Sequence, residues 1–198
     1  MFVRSLRPLD TRIALPPPTD VGFLRPHGAL QMAHAAFITG LSGLVLNADE
    51  AKFLRAANPA GIILFARNVD HPDQVRRLIV DAQTAIGSTV LVLIDQEGGR
   101  VQRLRPPHWR TLPSGAHYAA RAAIDLASAI TDTRTVSRLI AHDLRALGIS
   151  CNCTPVLDVP IAGAHEVIGS RALGATLATI IALGRAIAEG HMAGGVLP

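Results

Sequence analysis

Two short apolar runs, Gly61–Phe65 ("GIILF") and Val90–Ile94 ("VLVLI"), do not alternate with polar residues. A strand with one face in water reads apolar–polar with a period of two. A strand that is apolar at every position is buried on both faces, as in a parallel sheet covered by helices. Helical patterns flank these runs. Asn47 stands as an N-cap with Glu50 in capping-box position, and Asn58-Pro59 stops the helix that follows. Pro72 opens the next helix, Val75, Leu78, Ile79, Ala82 and Ile86 give it one apolar face, and Gly87 ends it. Ala35–Thr39 and Ile149–Thr154 read as further strands, and the closing "GGVLP" as the start of a fifth. The alanine-rich 115–130 reads as helix, as do 132–147 and 176–192.

Strand–helix repetition with short connectors predicts an α/β fold. The open doubly wound sheet and the eight-stranded barrel both fit. No G-x-G-x-x-G follows any strand, which favours the (β/α)8 TIM-barrel type. About four and a half βα units are present, whereas a complete barrel needs roughly 250 residues. A half barrel leaves apolar strand edges open, so self-association through that edge is expected.

Of the 198 residues 49% are hydrophobic and 17% charged, a composition for one domain with a substantial core. Residues 1–33 read as an irregular, proline-rich leader and 34–198 as the folded domain. No apolar run reaches the roughly 18 residues of a membrane span. The N-terminus lacks a signal-peptide pattern, so the default location is cytoplasmic. The net charge is +4, with no basic stripe and 4% aromatics, which argues against nucleic-acid binding. Cys151 and Cys153 point to one face of a strand, and a lone C-x-C is a weak metal signal; buried small residues are the plainer reading. The eight histidines show no ligand spacing. Neither metal nor organic cofactor is expected.

The chemistry gathers after the third strand, in "VLVLIDQEGGRVQRL". Asp95 leaves that strand at its C-terminal end, where barrel active sites lie. It serves either there or as a cap for the following turn. Gly98 and Gly99 permit a tight turn or a close backbone approach. Arg100 and Arg103 offer rigid forks of donors, for ligand oxygens or for a structural ion pair. Asp158 and Arg171, after the fourth strand, can reach the same mouth, with Asp158 also suited to orienting loop backbone. Trp109, the single tryptophan, either stacks on a ligand or packs beneath its loop.

"GIILFARN", "LIDQEGGRVQRL", "LRALGI", "TPVLDV" and "IGSRALG", in this order and spacing, resemble the family 3 glycoside hydrolases, and closely the bacterial β-N-acetylhexosaminidases of cell-wall recycling. The resemblance runs from about Ala35 to Pro198. It implies removal of terminal N-acetylglucosamine from peptidoglycan fragments by a retaining route. It makes Asp95, Arg103 and Arg171 substrate-binding and gives Glu97 and Arg100 supporting places. The family usually reads "IGDR" where this chain has Ser170, which removes an acid expected to orient Arg171. The family's nucleophile and its acid/base loop fall after the stretch matching "GGVLP". No catalytic residue is therefore assigned, and this chain alone is expected to be inactive. A non-catalytic sugar-binding product and a family 3 β-glucosidase are the alternatives.

Overall fold

The computed structural model of the chain describes residues 33–161, 163 and 166–198. The leader expected over 1–33 lies outside the described residues, apart from Ala33. Four strands form one sheet in the order β1 (Ala35–Gly40), β2 (Pro59–Leu64), β3 (Leu91–Ile94), β6 (Cys151–Asn152), and every pairing is parallel. Leu197 adds a parallel bridge to Cys151, with the Asn152 N–H donating to the Leu197 carbonyl at 2.8 Å. The expected fifth strand is thus present as a single rung. This is a parallel α/β architecture.

Local chemistry sets most element ends. Helix α1 (Ala48–Ala57) begins at Asn47, whose side-chain oxygen accepts from the N–H groups of Asp49 and Glu50 at 3.0 and 2.9 Å. Glu50 returns the bond, accepting from the Asn47 N–H at 3.2 Å, and also takes the Ser42 N–H at 2.7 Å. Burial pushes the Glu50 carboxyl up, but these two backbone hydrogen bonds outweigh it and leave the pKa below the ordinary value. Helix α2 (Pro72–Ile86) ends at Gly87, whose φ of 85° suits glycine.

Two expectations are corrected. The helices expected over 115–130 and 132–147 divide elsewhere, as α3 (Gly115–Ile124) and α4 (Leu126–Arg145). Asp125 makes the break: it is extended, and its carboxylate accepts from the Ser128 N–H at 3.1 Å, which starts a new helix. The alanine-rich composition around it hides this cap. Second, the described residues cover the sheet on one face only. Ile62, Leu64, Val92 and Ile94 are fully buried under the helices, whereas Leu91, one step out of phase, is 40% exposed. Ile38 and Leu197 are likewise open, and Ile38, Gly61 and Leu91 share one row of the register. The continuous apolar runs therefore serve two faces of which the described residues cover one.

The larger core cluster packs the sheet against α1, α2 and α4, through Leu54, Val75, Leu78, Ile140 and Leu144. A second joins α3, α4 and α5 (Leu177–Ala193), through Tyr118, Ala129, Ile180 and Leu183. Small residues let α4 and α5 approach closely. A Cβ on Gly190 would lie 2.4 Å from the Arg134 carbonyl oxygen. No described helix is long and apolar enough to cross a membrane.

Candidate active site

The site is built where β3 ends. Asp95 follows Ile94 directly, and its carboxylate accepts from Arg103 Nη2 at 2.7 Å. Arg103 arrives by a hairpin, β4 (Gln96–Gly98) and β5 (Val101–Gln102), that turns the chain back onto the strand exit. Its guanidinium lies over the Phe65 ring, 6.0 Å from the centroid, with Arg67 over the same ring at 4.6 Å. Nε of Arg103 is buried and has no partner among the described residues.

Beside this pair sits a second. Arg171, in the short helical turn Gly169–Arg171, donates from Nε and Nη2 to the two oxygens of Glu97 at 2.8 and 2.7 Å. The Glu97 side chain is only 9% exposed. The bidentate bond to Glu97 raises the Arg171 pKa above the ordinary guanidinium value; burial opposes this, and the charges of Glu97, Asp158 and Asp95 add to it. Asp158 is thus an electrostatic neighbour of Arg171. The orienting acid does not depend on position 170: Glu97 holds the arginine, and Ser170 is exposed.

The two glutamines and two glycines of "DQEGGRVQRL" hold the hairpin in place. Gln96 is 3% exposed and holds the returning strand, its side chain accepting from the Arg103 and Leu104 N–H groups at 2.9 and 3.0 Å. Gln102 donates to the Leu104 and Arg110 carbonyls at 2.7 Å each and accepts from the Leu112 N–H at 3.0 Å. Gly98 (φ 102°) and Gly99 (φ 57°) let the hairpin press on the segment before α3. A Cβ on Gly98 would fall 2.1 Å from the Pro113 oxygen, and one on Gly99 2.7 Å from Ser114 Cβ.

Sequence reasoning missed what lies beneath. Asn152 is fully buried; its side chain donates to the Gln96 carbonyl at 3.0 Å and accepts from the Gln96 N–H at 2.9 Å. The same amide meets His191 Nε2 at 2.9 Å, while His191 Nδ1 meets the Ile187 carbonyl at 2.9 Å. Only Nδ1–H satisfies that carbonyl, so Nε2 accepts from Asn152 and the ring is neutral. Burial lowers the His191 pKa, and the hydrogen bond to Ile187 opposes this only in part. The unfolded state then protonates first as pH falls below about 6.5. Stability contributed by neutral His191 is complete above that value and is lost until the folded-state pKa is passed. The loss of stability between pH 7.5 and 5, read by denaturant midpoint, is expected to be larger in the parent than in His191→Gln; equal losses would contradict this. The separations of 39 and 56 residues left no signal for the Asn152 network.

Cys151 and Cys153 are free and half-buried. Burial pushes the Cys153 thiol up to about 11, with the Asp95 charge and a hydrogen bond to Asp95 adding to it. Trp109 packs against the main core and meets His108 edge-on at 5.7 Å. No three His, Cys, Asp or Glu side chains among the described residues come together as a metal site.

A parallel sheet that delivers paired acids and arginines to the carboxyl ends of its strands has the layout of an α/β enzyme. The chain belongs to glycosyl hydrolase family 3: the model of that family's N terminal domain matches residues 28–198. It is 38% identical over 156 residues to a beta-hexosaminidase of Methylococcus capsulatus, covering 79% of this chain and 45% of the relative. A beta-hexosaminidase of Bordetella avium is 35% identical, with 76% and 43% covered. Among solved structures, NagZ from Neisseria gonorrhoeae in complex with zinc ion superposes with a TM-score of 0.77 at 29% identity, over 82% of this chain and 48% of that one. The same enzyme in complex with N-trifluoroacetyl-D-glucosamine gives 0.76. The chain thus spans less than half the length of these relatives.

Proposed function

We propose that the described residues form the sugar-holding part of a β-N-acetylhexosaminidase site. The sheet is then the first half of a (β/α)8 barrel, and the ligand a terminal β-linked N-acetylglucosamine of a peptidoglycan fragment, removed with retention. The observation that carries this reading is the pairing of Asp95 with Arg103 and of Glu97 with Arg171 at one strand exit. Asp95 has a second oxygen for a sugar hydroxyl, and Arg103 keeps a buried donor with no partner among the described residues. Arg171, oriented by Glu97, directs one N–H of Nη1 toward the Val167 carbonyl at 3.4 Å and has the other for a hydroxyl or the acetamido oxygen. The N-trifluoroacetyl-D-glucosamine complex of the gonococcal enzyme supports this ligand class.

Retaining hydrolysis needs a carboxylate nucleophile and a separate acid/base group. Asp95 and Glu97 are both engaged by arginine, so neither is free for these roles. Bond breaking is assigned to groups outside the described residues. The 198-residue chain is expected to bind N-acetylglucosamine, observed as ligand-dependent amide NMR shifts at Asp95–Arg103, and to release nothing from an aryl N-acetyl-β-glucosaminide. Arg103→Met is expected to weaken binding at least about tenfold, the effect of one lost charged hydrogen bond. Release of the aryl group, or equal binding by Arg103→Met, would overturn this reading. Tighter binding of glucose than of N-acetylglucosamine would favour a β-glucosidase instead.

A further inference from the structure

We infer that Arg100 is a positioning residue that holds the loop carrying Arg171 in its sugar-binding place without touching the sugar. Its effect on sugar binding rests on the reading of Arg171 above; its role as a clamp does not. Nη2 of Arg100 donates to three successive carbonyl oxygens, those of Glu166 and Ile168 at 3.3 Å each and that of Val167 between them. One planar cation thus fixes the backbone immediately before the Gly169–Arg171 turn. Three convergent carbonyl oxygens favour a donor that carries positive charge, and the guanidinium supplies one.

The Val167 oxygen is shared. Arg171 Nη1 approaches it at 3.4 Å, so clamp and sugar-holding arginine meet at one atom. Arg100 is itself fixed from behind. Its own carbonyl accepts from Arg105 Nη2 at 3.2 Å, and Arg105 Nε donates to the Gln102 carbonyl at 2.7 Å. The hairpin therefore reaches the second loop twice, through Glu97 to the Arg171 side chain and through Arg100 to its backbone. Glu97 sets the direction of the guanidinium, and Arg100 sets the height of the segment from which it projects. Arg100 lies on the solvent side of the hairpin turn, so its loss removes no core contact.

The test compares parent, Arg100→Met and Arg100→Lys by residue-resolved amide hydrogen exchange and by N-acetylglucosamine titration. The N–H groups of Arg171 and Ala172, which donate to Ile168 and Gly169 at 2.8 and 3.2 Å, are the local probes. In Arg100→Met their exchange is expected to rise about tenfold while β3 and α2 amides stay protected. Tm is expected to move by less than about 3 °C. Sugar affinity is expected to fall about tenfold, and Arg100→Lys to restore most of both effects. Unchanged exchange at Arg171 and Ala172 in Arg100→Met overturns the inference, and so does exchange that rises uniformly through the sheet. If the parent binds no N-acetylglucosamine, the functional reading of the site fails for this chain, and the exchange comparison still decides the clamp.

Discussion

Gly98→Ala is expected to destabilise the protein by about 3 kcal/mol, a loss in the range of strained backbone plus steric displacement. Two causes act together. The φ of 102° is one that an L side chain rarely adopts, and the added Cβ would stand 2.1 Å from the Pro113 oxygen. A backbone atom cannot swing aside as a side chain does, so the hairpin must lift. Lifting it draws Glu97 from Arg171 and Arg103 from Asp95, and sugar affinity should fall with stability. Gly87→Ala separates the two causes. Its φ of 85° is similarly positive, but nothing lies within 4 Å of the added carbon, so its cost is expected near 1 kcal/mol. Denaturant midpoints of the two variants test this. Equal losses would mean that the Pro113 contact contributes nothing.

Asn152→Leu is expected to cost about 4 kcal/mol although the volume is nearly kept. The substitution strands both the N–H and C=O of Gln96 and leaves His191 Nε2 without its donor, at about 1–3 kcal/mol for each buried unpaired group, not fully additive. Gln96 is also the residue that carries Asp95 and Glu97 into place on either side. The damage is therefore expected at the site as well as in the melting curve. Cys151→Ala, one position away on the half-buried face, is expected to lose less than about 1.5 kcal/mol. A loss for Asn152→Leu no greater than that of Cys151→Ala would show the network to be dispensable.

The strands and helices were legible because their signals are local. Two all-apolar runs, the Asn47–Glu50 box, Pro72 and Gly87 mark their elements without help from distant residues. Position also named Asp95, since a carboxylate at the exit of such a run stands where the sheet opens. Its pairing with Arg103 could be posed but not chosen from spacing, because a hairpin had to form first. The bond from Glu97 to Arg171 crosses 74 residues, and the resemblance pointed to position 170 instead. Asp125 was lost for a related reason: one cap inside an alanine-rich stretch changes no periodicity. The open sheet face was misread because a run's hydropathy records what a strand is suited to meet. It does not record whether a described residue meets it.

Helix α3 opens on Gly115, and a Cβ there would stand 2.1 Å from the carbonyl oxygen of Arg171. The backbone of one segment thus serves as the seat for the other, with no side chain on the α3 side of the contact. Alanine scanning, which detects a residue by what its removal costs, has nothing to remove at this position. The contribution of Gly115 to the site is space, visible only to substitutions that add atoms. A map of the site drawn by truncation would show Asp95, Arg103 and Arg171 and leave out the surface on which the last of them rests.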